Sequence, residues 1–108
     1  MGFSETFLEE APTREGVDAL RGAAVVEFGA PWCGHCKAAL PHVQVAFADF
    51  PQVQHLKIED GPGRRLGRSF GVKLWPTLVF LRDGVEVARL VRPVETEAIA
   101  DALAQVAQ

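Results

Sequence analysis

The sequence is poor in the residues and runs that several classes of protein depend on. It has two cysteines in 108 residues, whereas a disulfide scaffold for a small secreted domain would need more, spread along the chain. The two lie close together, at Cys33 and Cys36, and closing so short a loop would remove little unfolded-state entropy. A structural staple is therefore a weak explanation for the pair. Basic residues are also in deficit, 11 against 14 acidic, giving a net charge of −3. That balance argues for solubility and against a general affinity for nucleic acid or an anionic membrane. No apolar run is long enough to span a bilayer. Residues 1–10 lack the basic start and apolar core of a signal peptide, so with Met1 as native start the expected location is cytoplasmic. No internal repeat, low-complexity tract or linker interrupts the chain, and its length fits one domain over residues 1–108.

The hydrophobic pattern alternates between short apolar runs and helical stripes. Thr13 is an N-cap for a short helix that ends before Gly22. Ala23 to Gly29 is a continuous apolar run, suited to a central strand buried on both faces, with Glu27 the exception. A helical stretch follows to about Asp49, with Leu40, Val43, Phe47 and Phe50 on one face and Pro41 expected to kink it. Val53 to Ile58 reads as a second buried strand, Asp60 to Gly63 as a turn, and Arg64 to Phe70 as a short basic helix ended by Gly71. Strands over 77–81 and 85–91 are joined at Asp83-Gly84, a strong hairpin signal. The last helix begins near Glu95 with Ile99, Ala102, Leu103 and Val106 as its stripe. This order predicts an α/β domain, a mixed sheet with helices on both faces.

Cys33 falls where the first buried strand hands over to a helix. The free N–H groups and positive partial charge of a first helical turn stabilise a thiolate there. Cys36 lies one turn on, on the same face, close enough for the two to cycle between dithiol and disulfide with little backbone movement. A Cys-x-x-Cys pair could also be half a zinc site, with His42 and His55 as further ligands. A second cysteine pair is absent, however, and His35 cannot easily turn to the same metal. A protonated His35 would favour the Cys33 thiolate, stabilise the dithiol form and make the couple more oxidising. Glu27 is the other anomaly. A buried carboxylate with no partner costs several kcal/mol or takes up a proton, unless its side chain reaches water at a sheet edge. Arg64, Arg65 and Arg68 form a basic cluster whose usual meaning is a solvated helix face, with docking of an acidic partner the lesser alternative.

The segment Phe28-Gly29-Ala30-Pro31-Trp32-Cys33-Gly34-His35-Cys36-Lys37 resembles the active site of the thioredoxin superfamily, in the Cys-Gly-His-Cys form found in catalytic domains of protein disulfide isomerases. Trp75-Pro76-Thr77 is similar to the family's cis-proline loop and Asp83-Gly84 to its following hairpin, so the resemblance runs over nearly the whole chain. It implies the thioredoxin fold and a thiol–disulfide oxidoreductase in which Cys33 attacks and Cys36 resolves. No organic cofactor or metal is implied, because the cysteine pair carries the electrons. On sequence grounds Pro76 only starts a strand; the resemblance implies a cis bond facing the cysteines, with the Trp75 backbone pairing an extended substrate as an added strand. Many thioredoxins carry a small aliphatic residue where Trp75 stands, and a tryptophan there would narrow the substrate groove or simply pack. Trp32 and Gly34 complete the implied substrate surface, with plain packing the alternative for Trp32. Glu27 matches the family's buried acid, the implied proton acceptor for Cys36, and Lys57 matches the lysine that accompanies it.

Implied partners are protein disulfide substrates and a flavoenzyme reductase, with the protein itself a monomer. The direction of reaction stays open. A cytoplasmic setting favours a reductase, while His35 favours a disulfide isomerase or oxidase. The two poises differ by about 90 mV, roughly 4 kcal/mol for two electrons. A redox-independent binding or chaperone module is the remaining alternative, with Trp32 and Trp75 as its apolar surface.

Overall fold

The computed structural model describes residues 2–107. Its elements run α1 (Arg14–Asp18), β1 (Ala23–Gly29), α2 (Gly34–Phe47), β2 (Gln54–Glu59), α3 (Arg65–Ser69), β3 (Thr77–Arg82), β4 (Val85–Val91) and α4 (Thr96–Val106). The strands form one mixed sheet in the order β2-β1-β3-β4. β1 and β2 are parallel, and the other two pairings are antiparallel.

β1 is buried along its whole length, and its alternating side chains serve two cores. Val25, with Leu78 and Phe80 of β3, packs under α2 and α4 through Val43, Phe47, Ile99 and Leu103. Val26 and Phe28, with Val79 and Leu81, meet Val17 of α1 and Leu66 of α3 on the opposite face. Glu27 shares the face of Val25, so the same alternation that builds the core turns this acid toward α2.

Local signals set the element ends. The Thr13 hydroxyl accepts the Gly16 N–H at 3.0 Å and starts α1. Asp83 and Gly84 both have positive φ, 49° and 79°, the backbone a two-residue hairpin turn requires. The α4 stripe is buried as its spacing predicts. The buried face of α2 differs from expectation, running through Cys36, Ala39, Val43, Ala46 and Phe47. Leu40 is half-buried beside a surface groove, and the helix stops at Phe47, leaving Phe50 beyond its end.

The N-terminal segment, in which the sequence shows no period, covers the open edge of β2. Gly2 bridges Gln54, and the Leu8 N–H donates to the Lys57 carbonyl at 2.8 Å. Pairing this edge leaves fewer unsatisfied backbone groups and lays residues 2–8 over the side of the sheet where Glu27 lies.

Candidate active site

The strand-to-helix junction after β1 places both sulfurs. Cys33 is the N-cap of α2, with extended backbone, and its Sγ accepts the Cys36 N–H at 3.2 Å. A thiol sulfur thus does what a serine or aspartate oxygen does at other helix starts, and it sits at the positive end of a 14-residue helix. Both cysteines are buried and free of a disulfide. They differ in environment. Burial, above all, pushes the Cys36 thiol up to about 12, with its hydrogen bond to Cys33 adding to the effect, and a backbone hydrogen bond at Ala30 opposes them. The negative charges of Cys33 and Glu27 raise it further. Cys36 therefore keeps its proton at neutral pH, and Cys33 is left as the sulfur that receives hydrogen bonds.

Gly29, the last residue of β1, makes this packing possible. A Cβ built there would lie 2.6 Å from the Cys36 Sγ, closer than any unstrained contact. Gly29 lies two residues beyond Glu27 on the same strand face, so the Cys36 sulfur rests about 7 Å along the strand from the acid's position.

Glu27 is only 2 % exposed on a strand flanked on both sides, which removes the alternative that it reaches water at a sheet edge. Its Oε1 lies 2.8 Å from His55 Nε2. Lys57 is Glu27's register partner on β2 and is buried as well, but its ammonium points away. The Nζ donates to the Glu5 carbonyl at 3.2 Å and lies 4.9 Å from the Phe7 ring centroid. Cys36, Lys57, Leu40 and Phe7 line a groove of about 370 Å³ on this side of the molecule. His55 is thus occupied with Glu27, and the His42 Nδ1 is bonded to the Thr96 hydroxyl at 2.9 Å. Among the described residues no three histidine, cysteine or acidic side chains converge on one point.

The opposite side of the cysteines is aromatic. Trp75 packs against Ala30, Cys33 and Cys36, and its peptide bond to Pro76 is cis. Trp32 is 72 % exposed and meets Trp75 edge to face at 5.5 Å. Asp60, expected to be only a turn residue, accepts the Trp75 indole N–H at 2.9 Å. Its carboxylate has room because Gly67 of α3 carries no side chain. No motif in the sequence marks Arg92 either. It is a non-glycine residue at φ 51°; its N–H donates to the Pro76 carbonyl at 2.8 Å and its Nε to the Trp75 carbonyl at 2.9 Å. One acceptor position of the backbone expected to pair with substrate is therefore already occupied. Gly34 and His35 are exposed at the first turn of α2.

A sulfur that caps the helix and accepts a backbone N–H, beside a second sulfur kept protonated by burial, suits sequential disulfide exchange, one attacking a foreign disulfide and the other closing on the first. Such chemistry defines a thiol–disulfide oxidoreductase, and it needs no cofactor because the sulfurs carry both electrons. A family model described as Thioredoxin matches residues 7–105, and the chain belongs to the thioredoxin family. Thioredoxin from Chlamydia muridarum is 40% identical over 70 residues, which cover 65% of this chain and 69% of that protein. Human protein disulfide-isomerase A2 is 40% identical over 91 residues, covering 70% of this chain but only 17% of that longer protein. Among solved structures, reduced thioredoxin 2 from Pseudomonas aeruginosa PAO1 superposes with a TM-score of 0.86 at 56% identity, over 96% of this chain and 97% of that one. The mixed four-stranded sheet with flanking helices is the thioredoxin fold, and members of the family act on protein disulfides. No helix among the described residues is long and apolar enough to cross a membrane.

Proposed function

We propose that this chain is a protein-disulfide reductase in which Cys33 is the nucleophile and Cys36 the resolving thiol. The unequal environments of the two sulfurs carry the reading: Cys33 caps the helix, and Cys36 is held protonated in a buried site. The Cys33 thiolate attacks one sulfur of a substrate disulfide. A Cys33–substrate bond forms and the other substrate sulfur leaves as a thiolate. Cys36 then gives its proton to Glu27 and attacks the Cys33 sulfur. This expels the second substrate thiolate and leaves a Cys33–Cys36 disulfide, two electrons having passed to the substrate. Trp32, Gly34, Trp75 and Pro76 form the surface that receives the substrate segment, and Lys57 borders the proton path. Regeneration requires an external dithiol, for which a flavoenzyme reductase is the proposed source. The protein acts as a monomer in the cytoplasm.

His35, exposed between the cysteines, and the similarity to a protein disulfide-isomerase favour a second reading, an isomerase or oxidase with a more oxidising couple. The reduction potential decides between them. Equilibration with glutathione buffers, followed by tryptophan fluorescence, should give a value near the thioredoxin end of the scale, about −270 mV. A value near −180 mV would replace the reductase with the isomerase reading.

A further inference from the structure

Glu27 and His55 are both almost completely hidden, with side-chain exposures of 2% and 0%, and lie 2.8 Å apart. The other ring nitrogen of His55, Nδ1, receives the Ser4 backbone N–H at 2.9 Å. A nitrogen that accepts a hydrogen bond carries no proton of its own. The ring proton is therefore on Nε2, His55 is neutral, and Nε2–H donates to Glu27 Oε1. Phe47 stacks on the imidazole at 4.8 Å and Phe3 approaches it at 5.5 Å. Its plane, tautomer and distance to the acid are fixed by the N-terminal segment, α2 and β2 together.

The groups facing Glu27 are few. β2 contributes His55 and Lys57, whose ammonium is engaged by the Glu5 carbonyl. α2 contributes the Cys36 thiol, which is hydrogen-bonded to the Cys33 side chain. β3 contributes Leu78 as register partner. Among the described residues Oε2 of Glu27 has no hydrogen bond, while Oε1 is held by His55.

We propose that His55 is a positioning residue for the resolving step: as a neutral, Nε2-protonated donor it holds Oε1 of Glu27 and so presents Oε2 to the proton of Cys36. The proposal rests on Glu27 being the acceptor of that proton. In the step the Cys36 S–H bond breaks, its proton passes to Oε2, directly or through one water, and the new thiolate displaces the substrate sulfur from Cys33. The proton later leaves Glu27 for solvent. The lysine at 57, for which the resemblance implies an accompanying role, is left with a lesser part.

The test is stopped-flow reaction of the reduced protein with dithionitrobenzoate. The first thionitrobenzoate reports attack by Cys33, and the second reports resolution by Cys36. Three variants are compared between pH 5 and 9: Glu27→Gln, His55→Leu and His55→Gln, the last keeping an N–H donor within reach of Oε1. His55→Leu should leave the first phase unchanged. It should slow the second at least about tenfold at neutral pH and move its acid limb upward by about one pH unit, the size expected for losing a hydrogen bond to a charged group. His55→Gln should restore most of both. A wild-type second phase in His55→Leu, with Glu27→Gln slow, overturns the role of His55. A wild-type second phase in Glu27→Gln instead overturns Glu27 as acceptor. Should His55→Leu fail to fold, ¹⁵N spectra of the wild-type imidazole decide: a proton on Nδ1 at neutral pH overturns the proposal.

Discussion

Replacing Gly29 by alanine gives a sharp test of how the resolving sulfur is held. The added Cβ would stand 2.6 Å from Cys36 Sγ and 3.7 Å from Cys36 Cβ. Relaxed contacts between such atoms begin near about 3.5 Å, so the sulfur or the strand must move by roughly 1 Å. Overpacking of this kind in a closed core costs about 1–3 kcal/mol, a fall of roughly 5–15 °C in melting temperature for a domain of this size. Gly34→Ala is the control, because nothing lies within 4 Å of a Cβ there and the position is helical. It should be neutral or gain up to about 1 kcal/mol. The assay is urea unfolding of the reduced protein, repeated in a Cys36→Ala background. If the strain is borne by the sulfur, the penalty of Gly29→Ala should largely vanish there, a coupling of about 1–3 kcal/mol. A Gly29→Ala protein within about 0.5 kcal/mol of the parent would refute the placement of Cys36 on Gly29.

Two further outcomes follow from the geometry. Cys36, raised from 9.0 to about 12 chiefly by burial, binds its proton more tightly folded than unfolded. The associated stability is fully present below pH 9.0 and is lost as pH rises toward 12. Reduced protein should therefore show urea midpoints that fall over this window, and Cys36→Ala should lack that part of the slope; equal slopes would contradict the burial argument. Arg92, at φ 51°, occupies a conformation that costs a side-chain-bearing residue about 1–2 kcal/mol. Arg92→Gly should be more stable than Arg92→Ala by about 1 kcal/mol in thermal unfolding, and both should free the Trp75 carbonyl and change KM for peptide disulfides. Equal stability of the two variants would refute the strain.

Much of this site is visible in the sequence because its parts are local. The Cys33–Cys36 spacing, the apolar run ending at Gly29, the Asp83-Gly84 turn and the α4 stripe each depend on neighbours within one turn or one strand. The features that escaped depend on register between distant segments. His55 meets Glu27 across 28 positions, and Ser4 meets His55 across 51. The alternation His55, Leu56, Lys57 does show that the histidine and the lysine share a strand face, yet only the pairing of β1 with β2 decides which one reaches the acid. Asp60 looks like a turn residue until α3 is packed against it, and Gly29 looks like the end of a strand until the Cys36 sulfur is seen on it. The helix face differs at Phe50 because α2 stops at Phe47, and at Leu40 because the buried stripe runs through Cys36, Ala39 and Val43 and leaves Leu40 at its margin beside a groove.

The most direct measurement is trapping with Cys36→Ser and Cys33→Ser proteins, each mixed with a disulfide-linked peptide and analysed intact by mass spectrometry. Cys36→Ser should accumulate one stable mixed disulfide per chain, mapped to Cys33, and Cys33→Ser should accumulate almost none and turn over no substrate. A Cys33→Ser protein that reduced the peptide at the wild-type rate, or an adduct of the native protein mapped to Cys36, would contradict the assignment of attack to Cys33 and resolution to Cys36.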